Sequence, residues 1–162
     1  MTTRRAAAYF KREEIVRTQW VDYNGHMGDF AYAQAFSETV TAFMTFIGLD
    51  EAYRSATSAT LYTLDMRIGY QRECHEGQAL YLTLHVLAAD AKRMHLYLEM
   101  HDGDGNLLAW NEQVLLHVSR ASGEPKAAAF RDVTTNHLTK AQTAAALLGS
   151  IPHIERRIGL AK

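Results

Sequence analysis

Three side chains with catalytic capacity occupy alternate positions in one short segment. The segment WVDYNGHMGDFAY (20–32) places Asp22, Asn24 and His26 in a polar turn that contains glycine. A carboxylate at such a turn can attack a carbonyl carbon or draw a proton from water. Gly25 in the same turn allows the backbone to approach a ligand closely. These residue types predict acyl chemistry at this point of the chain.

A helix is predicted directly after this turn. Apolar residues recur at steps of three and four from Asp29 onwards, with Asp29 as the N-cap and Gly48 as the stop. The members of this stripe are Phe36, Val40, Phe43 and Ile47. The start of a helix offers unpaired N–H groups and the positive end of the helix dipole. Such donors can stabilise an oxyanion that develops on a thioester carbonyl.

A second interpretation of the same turn needs no catalysis. Asp, Asn and Gly are the usual residues of tight turns, so Asp22 or Asn24 would then only cap the backbone that follows. A histidine such as His26 is more often a satisfied, partly buried side chain than a catalyst. Both interpretations remain open on the spacing alone.

Strand patterns precede and follow the helix. Alternation of apolar and polar residues predicts antiparallel strands over 14–20, 61–70, 80–86, 94–100 and 107–118, with a hairpin turn at 101–106. One early helix and several antiparallel strands predict an α+β fold, in which a curled sheet wraps around the long helix.

The chain of 162 residues is expected to form a single domain, 1–162. Its core is predicted over about 10–118 and a C-terminal extension over 119–162. Helical spacing in the extension covers 132–148, with Gly149 as the stop, and this helical tail is expected to dock against the body or a partner.

Charge and composition narrow the choice of partners and compartment. The net charge of −1 and the lack of a basic stripe argue against nucleic acid as a partner. A single cysteine, Cys74, permits no internal disulfide and fits a reducing compartment. The first fourteen residues lack the apolar stretch of a secretory signal, and no window reaches membrane-spanning length. A cytoplasmic location and no membrane partner are therefore expected.

The segment around Asp22 resembles the signature of the hotdog-fold thioesterases related to 4-hydroxybenzoyl-CoA thioesterase. In that family a loop aspartate precedes the central helix, and a tyrosine follows ten positions later; these positions are Asp22 and Tyr32 here. The resemblance implies a hotdog fold, a catalytic role for Asp22, and supporting roles for Asn24 and His26. One departure is Gly28 directly after the His-Met pair, where many relatives have Asn.

A narrower resemblance covers almost the whole chain. Residues 20–43, 77–118 and the ending RRIGL are similar to the thioesterase module associated with L-carnitine dehydrogenases. It implies hydrolysis of betainyl-CoA in carnitine breakdown. A quaternary ammonium binds over aromatic faces, so the candidate substrate-binding residues are Trp20, Tyr32, Tyr62 and Trp110. The alternative for each is an ordinary core or dimer contact.

Two further segments carry side chains that could bind a ligand. Lys92 and Arg93, at the turn into a strand, are candidates for the coenzyme A phosphates, although a solvated turn explains them equally. The cluster RECHEG (72–77) matches no usual zinc spacing, and we interpret it as a polar strand end. No metal is expected, and no cofactor beyond the coenzyme A of the substrate.

Three functions compete. The first is an acyl-CoA thioesterase with Asp22 as general base or nucleophile. The second is a hotdog enoyl-CoA hydratase or dehydratase, which is disfavoured because its motif has a proline where Gly25 stands and its His one position later than His26. The third is a catalytically silent CoA-binding module. In each case a homodimer, or a dimer of dimers, is expected to close the sheet edge near Leu80–Val86.

Overall fold

This computed structural model describes residues 3–160 of the chain. The sequence-predicted domain 1–162 therefore includes four terminal residues outside the described range. The helices are α1 (Thr3–Ala7), α2 (Asp29–Phe46), α3 (Glu51–Thr57), α4 (Asp132–Ala145) and α5 (Pro152–Glu155), with a 3-10 turn at Thr18–Trp20. The strands are β1 (Phe10–Ile15), β2 (Ala59–Tyr70), β3 (Ala79–Ala89), β4 (Arg93–His101), β5 (Leu107–Ser119) and β6 (Lys126–Ala127).

All strands belong to one antiparallel sheet. Its order is β1-β3-β4-β5-β2, with the short β6 paired to β5. Among residues 3–160, β1 and β2 are the outer strands, and β2 is paired only with β5. The joining edge was expected at 80–86 and its neighbours. Strand β3 itself is not a free edge, because it is bonded to β1 on one side and β4 on the other, whereas its neighbour β1 is an outer strand.

Helix α2 packs on the inner face of the curled sheet. Its buried residues join one core cluster with the inward-facing residues of β3 and β4, because alternate strand side chains point to the same face. The fully buried members of that contact include Phe36 and Phe43 of the helix and Leu82, Leu84 and Leu98 of the sheet. The predicted α+β hotdog architecture around a central helix is confirmed.

The outer face of the sheet is covered by the two ends of the chain. Tyr97 and Trp110 form a second small core there with Leu148 and Ile151 of the tail. Beside them lies a group of polar residues that are all buried, held against Arg4 of α1, whose guanidinium is 3.3 Å from Glu99. This group is Thr83, His85, Glu99 and His101.

Several sequence-predicted boundaries need correction. The first strand ends at Ile15, not Trp20, and Trp20 closes the 3-10 turn instead. Gly28 is the N-cap of α2, while Asp29 is its first helical residue. Helix α3 was missed, although Asp50 caps it by accepting a hydrogen bond from the Tyr53 N–H. Gly48 does end α2, with φ of +88° that glycine adopts without strain.

Within residues 3–160, no helix combines the length and the apolar character needed to cross a membrane.

Candidate active site

The loop between the 3-10 turn and α2 is a tight, internally bonded hairpin. Val21 and Met27 form a bridge, and the Asp22 N–H donates to the His26 carbonyl at 2.9 Å. Gly25 turns the chain with φ of +76° and donates to the Asp22 carbonyl at 3.0 Å. The Gly28 N–H donates to the Trp20 carbonyl at 2.8 Å. The loop therefore holds Asp22 in place just before the helix.

The Asp22 side chain has two roles to consider: it caps the turn, and it lines a cleft. One oxygen, Oδ1, accepts a hydrogen bond from the Asn24 N–H at 2.8 Å, which is the capping role that the sequence also allowed. The side chain is only half-buried, and it lines an open cleft of about 370 Å³. Capping uses one oxygen, and an aspartate carries two. Asp22 can therefore cap the turn and still present an oxygen to a ligand.

The cleft is built from two distant parts of the chain. One wall is the loop and the start of α2; the other is the end of β2 and the connection to β3. The two walls are joined by the Met27 N–H, which donates to the Cys74 carbonyl at 2.8 Å. The lining residues are Asp22, His26, Met27, Asp29, Tyr32, Tyr70, Gln71, Arg72 and Glu73.

The start of α2 supplies an available N–H donor beside the cleft. The Phe30 N–H is bonded to the Asp29 carboxylate at 2.8 Å, and the Ala31 N–H to the Gly28 carbonyl at 2.9 Å. The Asp29 N–H has no acceptor within residues 3–160. A backbone N–H at a helix start, reinforced by the helix dipole, is the type of group that stabilises an oxyanion.

Tyr32, which lines the cleft, is held by the connection between β2 and β3. The Tyr32 hydroxyl donates to the Arg72 carbonyl at 3.1 Å and contacts the Cys74 sulfur at 3.3 Å. Burial raises the pKa of both the Tyr32 hydroxyl and the Cys74 thiol. A fully buried thiol with a raised pKa is a poor nucleophile, so Cys74 is a structural residue.

A group with metal-binding chemistry lies at the rim. The His26 Nε2 is 3.2 Å from a Glu73 oxygen, and the His26 and His75 rings are 5.1 Å apart. The ligand atoms of these three residues all lie within 4.8 Å of one another. Glu73 and His75 flank the buried Cys74, so both side chains point outward. The sequence interpretation of 72–77 as a polar turn therefore missed the third member, His26, which comes from the other wall.

Comparisons with known proteins identify the family of this chain. Residues 16–138 match the model of the thioesterase-like superfamily. The chain belongs to that superfamily. It is thus a thioesterase-family hydrolase with the hotdog fold, as its sequence predicted.

Individual relatives carry more specific names. The chain is 40% identical over 108 residues to a betainyl-CoA thioesterase of Pseudomonas aeruginosa, a match that covers 66% of this chain and 68% of that one. It is 42% identical over 110 residues to the L-carnitine dehydrogenase/betainyl-CoA thioesterase of Rhizobium meliloti, covering 67% of this chain and 22% of the relative. The chain thus spans about a fifth of the length of that bifunctional relative.

One solved structure resembles this chain over nearly its whole length. A Staphylococcus aureus protein in complex with CoA superposes with a TM-score of 0.87 at 25% identity, covering 94% of this chain and 95% of that one.

The structure separates the sequence-predicted site residues. Asp22, His26 and Tyr32 line the cleft together. Asn24 is exposed and does not line it. Trp20 is buried in the core, where its Nε1 donates to Gln34 at 3.1 Å.

The remaining predicted residues lie on other parts of the sheet. Tyr62 is half-buried on β2, and Trp110 is buried on the outer face of the sheet. Lys92 and Arg93 lie at the β3–β4 turn, where Arg93 is paired with Asp90 at 2.6 Å. That pairing and two backbone N–H bonds lower the pKa of Asp90 to about 2.

Sequence reasoning missed the second wall of the cleft. Tyr70, Arg72 and Glu73 lie more than forty positions after Asp22, so no local spacing signals that they meet it. The sequence signal that could have indicated this wall is the end of the predicted strand 61–70, followed by the polar cluster 72–77. Its position relative to the motif loop depends on the sheet order, which the sequence did not specify.

Proposed function

We propose that the protein hydrolyses a small acyl-CoA thioester, with Asp22 as the general base or nucleophile. The observation that carries this proposal is that Asp22 lines the same cleft as Asp29, whose backbone N–H at the start of α2 has no acceptor within residues 3–160. The carboxylate would act on the carbonyl carbon or on water, and the N–H would stabilise the oxygen that becomes negative. The complex of the Staphylococcus aureus relative with CoA supports a CoA thioester as the substrate.

The test of this proposal is an isosteric substitution. Asp22→Asn keeps an oxygen that accepts the Asn24 N–H but removes the base. If Asp22 is catalytic, thiol release from acyl-CoA should fall by about a hundredfold or more. Asp104→Asn, in the exposed hairpin turn, is the matched control and should leave the rate unchanged. Near-normal turnover of a folded Asp22→Asn protein would mean that Asp22 only caps its turn.

We further propose betainyl-CoA as the substrate. Two relatives carry this activity in their names, and the charge of the cleft suits a cationic acyl group. Its lining includes three carboxylates, Asp22, Asp29 and Glu73, against one guanidinium, Arg72. Tyr70 presents a half-exposed ring that meets Tyr32 edge to face, with centroids 5.2 Å apart. A trimethylammonium group would lie favourably against such a ring and near such carboxylates.

The substrate proposal predicts a preference for charge over shape. Betainyl-CoA should exceed the neutral isostere 3,3-dimethylbutyryl-CoA by roughly five- to thirtyfold in kcat/KM, the equivalent of about 1–2 kcal/mol for a desolvated cation–π contact. Tyr70→Leu should remove most of that preference, whereas Tyr62→Leu, outside the cleft, should retain it. Equal kcat/KM for the two substrates, or a preference for long acyl chains, would refute the substrate but not the reaction.

The active unit is proposed to be at least a homodimer joined along β2. Within the described part of the chain this strand is bonded on one side only. Leu64 and Met66 expose apolar side chains along it, at 55% and 38%. An open edge of this length favours pairing with a second copy. Tyr70 ends the same strand and lines the cleft, so pairing there would place the active site at the subunit boundary.

A further inference from the structure

A second cleft adjoins the one that contains Asp22. It has a volume of about 240 Å³ and shares Tyr70 and Gln71 with the first cleft, at the end of β2. Its opposite wall is the C-terminal tail, through His153 and residues 156–159. The two clefts therefore meet at one pair of residues, on either side of a strand end.

The charge of the second cleft is opposite to that of the first. Three arginines line it, Arg67, Arg156 and Arg157, and none of the described residues that line it is acidic. Arg67 is already engaged, because it pairs with Glu112 at 2.8 Å. Arg156 and Arg157 take part in none of the ion pairs found within residues 3–160. Two guanidinium groups thus remain available for an anion.

The tail that carries these arginines is anchored, not loosely placed. Arg67 donates to the backbone carbonyls of His153 at 3.2 Å, Ile154 at 3.0 Å and Arg156. The His153 ring stacks on Trp110 with centroids 5.4 Å apart and planes 16° apart. Such anchoring reduces the entropy that a ligand must overcome to order the arginines.

We propose that this second cleft binds the phosphate groups of coenzyme A. The inference rests on the proposed function, since it assigns the nucleotide end of the same substrate. The acyl group would lie at Asp22, the pantetheine arm would pass Tyr70 and Gln71, and the diphosphate and 3′-phosphate would meet Arg156 and Arg157. Guanidinium groups bind phosphate oxygens through paired, charge-assisted hydrogen bonds.

The proposed location differs from the one expected from sequence, at Lys92 and Arg93. Arg93 is held by Asp90 through both its Nε, at 2.8 Å, and its Nη2, at 2.6 Å. The clefts that Arg93 lines contain Asp90 and none of the residues of the Asp22 cleft. A phosphate at the β3–β4 turn would meet a carboxylate and would have no continuous path to the catalytic loop.

The experiment measures coenzyme A binding and hydrolysis separately. Arg156→Ala/Arg157→Ala should weaken binding of coenzyme A about tenfold by calorimetry and raise KM for acyl-CoA by a similar factor, with kcat little changed. Hydrolysis of the matching acyl-pantetheine thioester, which lacks the nucleotide, should not respond. Arg156→Lys/Arg157→Lys should recover much of the affinity. Lys126→Ala/Lys140→Ala removes the same charge at exposed sites elsewhere and should bind normally.

The outcomes test the assignment of this cleft separately from the proposed function. Unchanged coenzyme A binding by the arginine double variant overturns the cleft, and so does weakened binding in Lys92→Ala/Arg93→Ala alone. An equal loss on acyl-CoA and acyl-pantetheine would show that the tail supports the fold and would also overturn it. A protein that hydrolyses neither substrate but binds coenzyme A through Arg156 and Arg157 would refute the proposed function and support the cleft.

Discussion

The protein should lose stability on mild acidification, through two buried histidines on the outer face of the sheet. Burial lowers the pKa of His85 from its ordinary value of 6.5 to about 4, with Arg4 and His101 adding repulsion. Burial, with help from Arg5 and Arg4, lowers the pKa of His101 to about 4. Neither ring nitrogen of His85 has a hydrogen-bond partner within the described chain. The folded state thus holds His85 uncharged, in a site that offers no hydrogen-bond acceptor to a protonated ring.

The sign of the effect follows from where each state binds the proton. The unfolded chain protonates His85 as the pH falls through 6.5, whereas the folded protein does so only near 4. Stability from this residue is therefore present above about pH 7 and is lost between pH 6.5 and 4, amounting to about 2 kcal/mol at pH 5. Glu99 opposes the trend at the lower end, because burial raises its pKa and the folded protein takes up that proton first.

His85→Phe is the variant that tests this reasoning. Phenylalanine can keep the stacked contact with Tyr97, at 6.3 Å between centroids, and it removes the titrating group. Urea unfolding at pH values from 4.5 to 7.5 should show a shallower loss of unfolding free energy in the variant, by about 2 kcal/mol at pH 5. His75→Gln, at an exposed position, serves as the control. Parallel pH curves for wild type and His85→Phe would refute the account.

Two further predictions concern the tail and the free edge. A Cβ at Gly69 would lie 2.1 Å from the Trp110 ring, so Gly69→Ala should displace that ring and lower stability by roughly 1–3 kcal/mol. Thermal melts and limited proteolysis of the tail measure this, with Gly103→Ala as the control, and an unchanged melt would contradict the packing. Met66→Lys should shift the protein towards monomer in light scattering, while Val133→Lys, exposed on α4, should not. Wild-type protein that is already monomeric at micromolar concentration would contradict joining through β2.

The long elements could be predicted because their side chains repeat with the period of their backbone. Helix α2 and strands β3 and β4 each carry one regular stripe of apolar residues in the sequence. The extents of these elements and of β5 differ from prediction by only a few residues. β1 could not be placed correctly because it is an edge strand whose half-buried face, towards α2, carries charged side chains. Arg12 and Glu14 on it pair with each other at 2.7 Å, and Arg12 also pairs with Glu38 of α2. Because of those charged residues, the segment lacks the alternation of apolar and polar residues by which a strand is recognised in a sequence.

Only the part of the candidate site that lies in the loop before α2 could be predicted from the sequence. Asp22 and His26 share a loop, so their spacing is visible in the sequence. Glu73 reaches His26 only because the Met27 N–H is bonded to Cys74, a contact set by the sheet order. The tail was harder still, since Arg156 and Arg157 become a wall of a cleft through Arg67, which lies nearly ninety positions earlier.

The separation of charge between the two clefts has a consequence that the net charge of −1 conceals. Carboxylates dominate the cleft around Asp22, and arginines line the cleft around the tail, with Tyr70 and Gln71 between them. At physiological salt, charges are screened over about 8 Å, so each end of a bound molecule responds mainly to the cleft next to it. A substrate with a cationic acyl group and an anionic nucleotide would then be favoured in one orientation and opposed in the reverse. Exchanging the sign in one cleft alone, as in Arg156→Glu/Arg157→Glu, should therefore reduce kcat/KM for betainyl-CoA more than the alanine pair does, and added salt should narrow that difference.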